Sequence, residues 1–327
     1  PLLDLGPGCD ETFLARAIAE FVDGLRRLRV VSAFVRLHPL FGLPQGPLGE
    51  AGFLVSHGET VSIDLMLPRE EIWRQTRCNH RRDIQKTEIG NCVTLIDNSK
   101  FDEFISIYYE TMNRREARDY YYFDSGYFED LRTALDGRLH LGVVKVEGRV
   151  ACAGLFTEVC GIVQYHLSGT RGEFLKRHPL KALINFVRYW AKDRGNRVFH
   201  LGGGLGGRRD TLFEFKAGFS HARHPFYTWR IIIDEPAYSA LVGRWESLAG
   251  IQADEPEGFF PAYRKSYSSQ GASSPGCLEV GPSLRVDHCR ELERPGDAQE
   301  REHDPGESGA HRESEASRHG TAYQAPA

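Results

Sequence analysis

Val163-Gln-Tyr-His-Leu-Ser-Gly-Thr-Arg-Gly172 passes from a strand pattern into a polar loop with two glycines, and residues 175–193 beyond it have the apolar spacing of a long helix. Such a join can aim backbone N–H groups and Arg171 at an oxyanion or phosphate, while Gly169 and Gly172 allow a close approach. A plain turn and helix cap accounts for the same residues.

Upstream of this stretch, 92–96 reads as a strand, 101–115 and 127–135 as helices, and 139–146 and 150–157 as strands joined at Gly148. Residues 161–167 complete an antiparallel meander. Downstream, 198–201 reads as a strand, 210–219 as a short helix and 226–233 as a last strand. The order β-α-α-β-β-β-α-β-α-β predicts an α/β fold, a mixed sheet flanked by helices.

The N-terminal third is thinner. Phe13, Leu14, Ala17, Ile18, Phe21, Val22, Leu25 and Leu28 give 11–29 one amphipathic helix, 30–37 suits a strand, and beyond a proline- and glycine-rich break another extended stretch through Phe53 and Val55 and a further strand at 60–65 are expected. This reads as a small or incomplete α/β unit. Pro68 followed by Arg69, Glu70 and Glu71 predicts one helix through Glu88, with a basic face that includes Arg77 and Arg81.

The chain has 327 residues, 26% charged, with a net charge of -4, a length that allows two domains of ordinary size. Residues 271–327 hold 11 acidic against 6 basic side chains and little to bury, so they predict a disordered acidic tail. The body ahead of the tail is nearly neutral. Seven scattered cysteines argue against a disulfide scaffold and for a reducing compartment. The longest apolar runs fall short of the roughly 18 residues of a membrane-spanning helix, and Pro1 reads as the start of a trimmed or fragmentary chain.

Chemistry-bearing residues fall in three further places. In His200-Leu-Gly-Gly-Gly-Leu-Gly-Gly207 five glycines between a strand and a helix suggest a loop that a substrate approaches closely, with Gly203 and Gly204 as its contacts. The run lacks the lysine and hydroxyl of a nucleotide-hydrolase phosphate loop and the spacing of the dinucleotide fingerprint. Phe215-Lys216 follows: the ammonium would neutralise a phosphate or polarise a carbonyl and the ring would wall the site, although Lys216 could equally face solvent or pair with Glu214. Arg114, Arg115 and Arg118 precede Tyr120-Tyr-Tyr122, so Arg115 and Tyr121 become candidates for gripping an anionic substrate; a solvated arginine face is the bland alternative. Histidine and cysteine spacings give no zinc grammar, and no serine sits in a nucleophile elbow. Tyr165 or His166 could assist proton transfer if oriented inward, but strand alternation keeps them from facing the same side without a bulge.

Asn79-His-Arg-Arg-Asp-Ile84, Val163 to Thr170, the glycine-rich segment from His200 and Leu212-Phe-Glu-Phe-Lys216 together resemble the Fem peptidyltransferase-like (FemAB/FemX-like) branch of the Gcn5-related N-acyltransferase (GNAT) superfamily, over about residues 11–240. The resemblance implies two related acyltransferase domains, the first shortened here: 1–67 as a partial N-terminal GNAT-like domain, 68–91 as an interdomain helix, 92–240 as the acyltransferase domain and 241–270 as an extension. It further implies transfer of an aminoacyl group from aminoacyl-tRNA to an amine of a peptidoglycan or other cell-envelope precursor, in the cytoplasm and up to the inner face of the membrane. Lys216 and Tyr165 would be catalytic. Arg77, Arg81, Arg115, Tyr121, Ser168, Gly169, Thr170, Gly203, Gly204 and Phe215 would bind substrate.

No cofactor or metal is expected on that reading. Two alternatives stay open, an N-acetyltransferase that takes acetyl-CoA or another acyl-CoA, and a catalytically inactive transferase-like binding module. Ser168-Gly-Thr-Arg-Gly172 departs from the usual acyl-CoA loop, a glutamine or arginine followed by spaced glycines. All of these readings require the loop before the long helix and the glycines before Lys216 to meet at one cleft.

Overall fold

Two tight reversals, Glu147-Gly148 at φ 52° and 79° and Cys160-Gly161 at φ 51° and 77°, fold the middle of the chain into consecutive hairpins. Positive φ at both central residues gives the turn whose twist matches paired strands. The computed structural model describes residues 10–42, 45–90, 92–253 and 258–265; the expected acidic tail lies outside them.

The chain runs α1 (Glu11–Arg27), β1 (Ser32–Arg36), α2 (Gln45–Glu50), β2 (Phe53–Asp64), α3 (Arg69–Gln75), α4 (Cys78–Ile89), β3 (Cys92–Ile96), α5 (Phe101–Arg114), α6 (Ser125–Leu135), β4 (Leu139–Val146), β5 (Arg149–Val159), β6 (Ile162–Thr170), α7 (Pro179–Asp193), β7 (Val198–Gly203), α8 (Thr211–Ala217), β8 (Ala222–Ile232) and α9 (Glu235–Ala249). The element order expected for residues 92–233 is the one observed. Asp10, Asp124, Asp210 and Asp234 cap α1, α6, α8 and α9 by accepting a backbone N–H three residues on, which satisfies a donor the first turn leaves open.

All eight strands form one mixed sheet in the order β1-β8-β2-β7-β6-β5-β4-β3. Successive strand residues point to opposite faces, so Val143 packs beneath α5 and α6 with Phe104, Ile107 and Phe128, while Val144 joins the cluster under α4, α7 and α8 with Ile84, Val187 and Phe213. A third cluster seats α1 through Leu14 and Ile18 on Val35, Trp229 and Ile231. Each such side chain, fully buried, contributes about 1.5–3 kcal/mol.

Four sequence expectations need correction. First, no second domain is distinguished among the described residues: β1 pairs with β8, and β2 lies between β7 and β8, all within the one sheet. Second, β2 is one strand with a bulge between Ser56 and Glu59, and its alternation is lost at the bulge. Third, the helix expected through Glu88 is two: Thr76 and Arg77 turn extended, with ψ 129° and 145°, and the Arg77 N–H donates to the Gly218 carbonyl at 2.8 Å. Fourth, Ser168, Gly169 and Thr170 are strand, paired with Gly154, Ala153 and Cys152 on β5, and a 3-10 turn at Gly172–Arg177 precedes α7. Two helices, α2 and α9, went unexpected. No helix among the described residues is long and apolar enough to cross a membrane.

Gly169 shows what fixes α5 on the sheet: a Cβ there would sit 2.6 Å from the Ile107 carbonyl oxygen, so only a bare backbone lets helix and strand meet. Gly169→Ala is expected to destabilise the fold by about 1–3 kcal/mol through overpacking. Urea denaturation measures this, and a variant as stable as the parent would contradict it.

Candidate active site

The parallel strands β6 and β7 pair only at Ile162–Val198, Val163–Phe199 and Gln164–His200. Beyond Gln164 each keeps its outer neighbour and loses the inner one. β6 stays on β5 as far as Thr170, and β7 stays on β2 as far as Gly203. A V-shaped gap therefore opens in the middle of the sheet.

Tyr165, Ser168, Gly203 and Lys216 meet at this gap. α8 carries Lys216 inward until its side chain is 8% exposed, with Nζ donating to the Gly203 carbonyl at 2.7 Å and lying 5.5 Å from the centre of the Tyr165 ring. The bare Cα of Gly202 makes room, since a Cβ there would lie 3.3 Å from Nζ. The Tyr165 hydroxyl bonds the Ser168 hydroxyl. Burial lowers the Lys216 ammonium to about 8, against a smaller opposing pull from the Asp210 charge, and no carboxylate among the described residues is close enough for an ion pair. Burial also holds the Tyr165 phenol above its ordinary value, so it stays an O–H.

The α4 segment sets the pose of Lys216. The buried His80 ring donates through Nε2 to the Phe215 carbonyl at 3.0 Å and occupies the space where a Cβ on Gly218 would fall, 2.4 Å from Nε2. Arg77 pairs with Glu214 at 2.9 Å. Glu214 is thus taken by Arg77, leaving Lys216 to turn inward. Burial, with the Lys181 charge next, lowers His80 to about 4, so it is a neutral strut.

The remaining expected residues have other surroundings. Phe215 packs half-buried against Phe219 and His80, with ring centroids at 5.5 and 5.7 Å, as part of the core edge. Arg81 reaches the Arg74 carbonyl and the Cys78 sulfur. Arg115 is exposed at the C-terminus of α5. Tyr121 is half-buried, its carbonyl accepting the Tyr108 hydroxyl at 2.8 Å, and the charges of Arg118 and of Arg36 on β1 both act on its phenol. Gly204 lies in a turn whose Cβ position is taken by the Arg208 carbonyl oxygen at 2.0 Å, and Gly207 abuts the His57 carbonyl on the β2 bulge. The glycine run therefore lets backbone meet backbone there.

The cradle that the β6–α7 join could offer is engaged within the chain. The Thr170 N–H donates to the Thr111 hydroxyl at 3.0 Å and the Gly172 N–H to the Glu110 carboxylate at 2.7 Å. Arg171 faces Val150 and Glu110, Arg177 pairs with Glu147, and Lys181 with Asp83. With Glu110, Glu173 and Asp83 around these donors, the residues present do not form a cradle for the pyrophosphate of a CoA.

A histidine-rich face was not anticipated. His38, His57, His166, His200 and His224 come from five segments, and the His200 and His38 rings lie 5.6 Å apart between centroids, tilted by 47°. Their spacing in sequence carries no signal, because only sheet order brings them together. A cavity of about 540 Å³ lies elsewhere, between β3 and α7, walled by Cys92, Thr94, Asn185, Tyr189, Trp190 and Arg194. None of the expected site residues lines it.

Residues 74–216 match the family model described as acetyltransferase (GNAT) domain. Among solved structures the chain is similar to FemX, with a TM-score of 0.55 at 13% identity over 69% of this chain and 79% of that one. It is also similar to the C-terminal domain of a candidate lysylphosphatidylglycerol synthetase from Agrobacterium fabrum, with a TM-score of 0.50 at 15% identity over 73% and 79% of the two chains. No curated protein matches the chain in sequence. At these identities the structural likenesses show the fold alone. The sheet and the domain match define an acyltransferase architecture. Residues 74–216 thus carry a domain of the GNAT acyltransferase superfamily, whose general chemistry is acyl-group transfer and whose fold generally binds CoA.

A buried ammonium without a counter-ion costs stability at neutral pH. In the unfolded chain Lys216 titrates near 10.4, in the folded one near 8, so between these values the unfolded state binds the extra proton and folding becomes more favourable as pH rises. Lys216→Met is expected to match or exceed the parent in stability at pH 7 and to lose that relative advantage by about pH 10. Urea denaturation at the two pH values tests the sign.

Proposed function

We propose that this protein is an N-acyltransferase that places an acyl group on a primary amine within the gap between β6 and β7. One observation carries the reading: Lys216 is a buried ammonium with no ion-pair partner among the described residues, beside the hydroxyl pair of Tyr165 and Ser168. Such a site is electrostatically unsatisfied until negative charge develops in it, the condition for stabilising a tetrahedral oxyanion.

In this mechanism the neutral amine attacks the acyl carbonyl and a C–N bond forms. The carbonyl oxygen gains its negative charge against Nζ of Lys216 and the Tyr165 or Ser168 hydroxyl. The intermediate collapses with cleavage of the bond to the donor's leaving atom, and the amine's excess proton passes to the leaving group or to water. Gly203 holds Lys216 by its carbonyl, which fixes Nζ without neutralising it. No residue forms a covalent intermediate.

On the donor, the acetyltransferase domain match ranks an acyl thioester of the acyl-CoA class first. A second reading, aminoacyl-tRNA as donor and a peptidoglycan or cell-envelope amine as acceptor, is favoured by the β6–α7 join, whose donors are engaged by Glu110 and Thr111 and leave no cradle for a pyrophosphate. Purified chain given acetyl-CoA and charged tRNA side by side, with a panel of amines, is expected to form an amide from one of them. Amide formation from neither donor would remove the transferase reading and leave a binding module.

The Lys216 assignment has its own signature. Because Nζ must be charged and titrates at about 8, transfer should fall as pH rises through about 8. Lys216→Met is expected to lose about 10²–10³-fold in kcat, the usual effect of removing an oxyanion donor. Lys216→Arg should retain part of the rate without the alkaline fall. A pH–rate profile of parent and arginine variant that coincide above pH 8 would refute the role.

A further inference from the structure

The sheet face opposite α7 and α8 gathers titratable side chains from several strands. His200 on β7 is 5% exposed, and neither ring nitrogen has a hydrogen-bond partner. Buried polar atoms in that state are rare, and an unmet one asks for a ligand or a water. Around it stand half-buried His38, hydrogen-bonded to Gln164, and His224, whose Nε2 meets the Ser62 hydroxyl at 2.7 Å. His57 on the β2 bulge bonds the Thr228 hydroxyl at 2.8 Å.

Among the described residues, the charges that bear on His38 and His200 are cationic: His38 feels His224, and His200 feels His38, Lys216 and His224. Burial, with those charges behind it, holds His200 neutral, at about 3. His166 on the same side is held by the Tyr127 hydroxyl at 3.0 Å. A metal is not what the cluster awaits, since no group of three or more histidine, cysteine or acidic side chains among the described residues is placed to hold one. Neutral imidazoles offer both N–H donors and acceptors, and an entering anion would be drawn by the Lys216 charge, which already acts on His200 and has no ion-pair partner among the described residues.

The gap links this face to Lys216. Phe199 and Leu201 point into the cluster under α8, so His200 between them points the other way, and with β6 splayed no strand closes the layer between His200 and Lys216. His200 and Gly203 are three residues apart on β7, roughly 10 Å at about 3.3 Å per residue. A ligand anchored at the first with its reacting end at the second must be several bonds long.

We propose that the acceptor is an amine that also carries a carboxylate, which His38, His200 and His224 hold while the amine crosses the gap to the Lys216 end. This names the acceptor class for the transfer proposed above and rests on that reading. His38 and His224 meet the carboxylate at the surface, and His200 lies behind them as the buried partner.

Titration calorimetry on the full chain at pH 7 separates the idea from a merely water-filled cluster, with 6-aminohexanoate and hexylamine as probes in HEPES and in Tris. The expected result is at least tenfold tighter binding of 6-aminohexanoate, with proton uptake read from the enthalpy difference between the buffers. His38→Gln and His224→Gln, both at half-buried positions that should leave the fold intact, are each expected to weaken it at least fivefold, and His200→Phe to abolish it.

Equal affinity for the two probes, or binding with neither proton uptake nor sensitivity to His38→Gln and His224→Gln, would overturn the proposal. Acyl transfer to hexylamine with no preference for 6-aminohexanoate would sink this inference and leave the transferase standing. Tight binding of 6-aminohexanoate with no transfer to any amine would remove the transfer reading and with it the acceptor role, leaving only a carboxylate-binding site.

Discussion

Three residue pairs join β6 to β7, and then the strands part. Each remains bonded on its far side, β6 to β5 and β7 to β2, so the two walls of the gap are stiff although the gap itself is open. The inner edges leave backbone groups without a ladder partner in the middle of a sheet, which a protein tolerates where side chains or a ligand can answer them. Tyr165, Lys216 and His200 are the side chains that the divergence admits. Without it, α8 would face a closed sheet and the ammonium would have no opening.

The pose of Lys216 depends on contacts nearly 140 residues away in sequence. His80 beneath Gly218 and Arg77 on Glu214 brace the middle and the C-terminal end of α8, so the Asn79-His and Phe215-Lys segments form one packing unit. The domain match from 74 to 216 spans both segments. Seven residues of helix would hold little orientation alone, and the brace supplies it.

Much of the core domain was legible because local rules and the fold agree. The hairpins follow from turn residues that accept positive φ, the helices from apolar spacing, and the opposite placement of Tyr165 and His166 from strand alternation. Thr76 and Arg77 break a helix that its spacing supports, because a carbonyl on Gly218 recruits the Arg77 N–H, a tertiary contact invisible to any window. Gly203, Gly204 and Gly207 were read as room for a substrate, yet the atoms they admit belong to Glu59, Arg208 and His57. Sequence can say that bulk is forbidden at such positions; only the sheet order says by what. The histidine face was beyond reach for the same reason, since its members are brought together by strands far apart in sequence.

The placement of β2 shapes how the molecule is made. Its partners, β7 and β8, emerge from the ribosome 134 to 173 residues later, as the Asp64–Val198 and Val55–Thr228 pairs show. Until then a twelve-residue strand, one of the longest stretches of β-structure in the chain, has both hydrogen-bonding edges bare. Pairings of such separation form slowly and leave strand edges open to other chains meanwhile. Synthesis of this sheet thus resembles a zip whose slider arrives last, since β2 cannot take its place before β7 and β8 have been made.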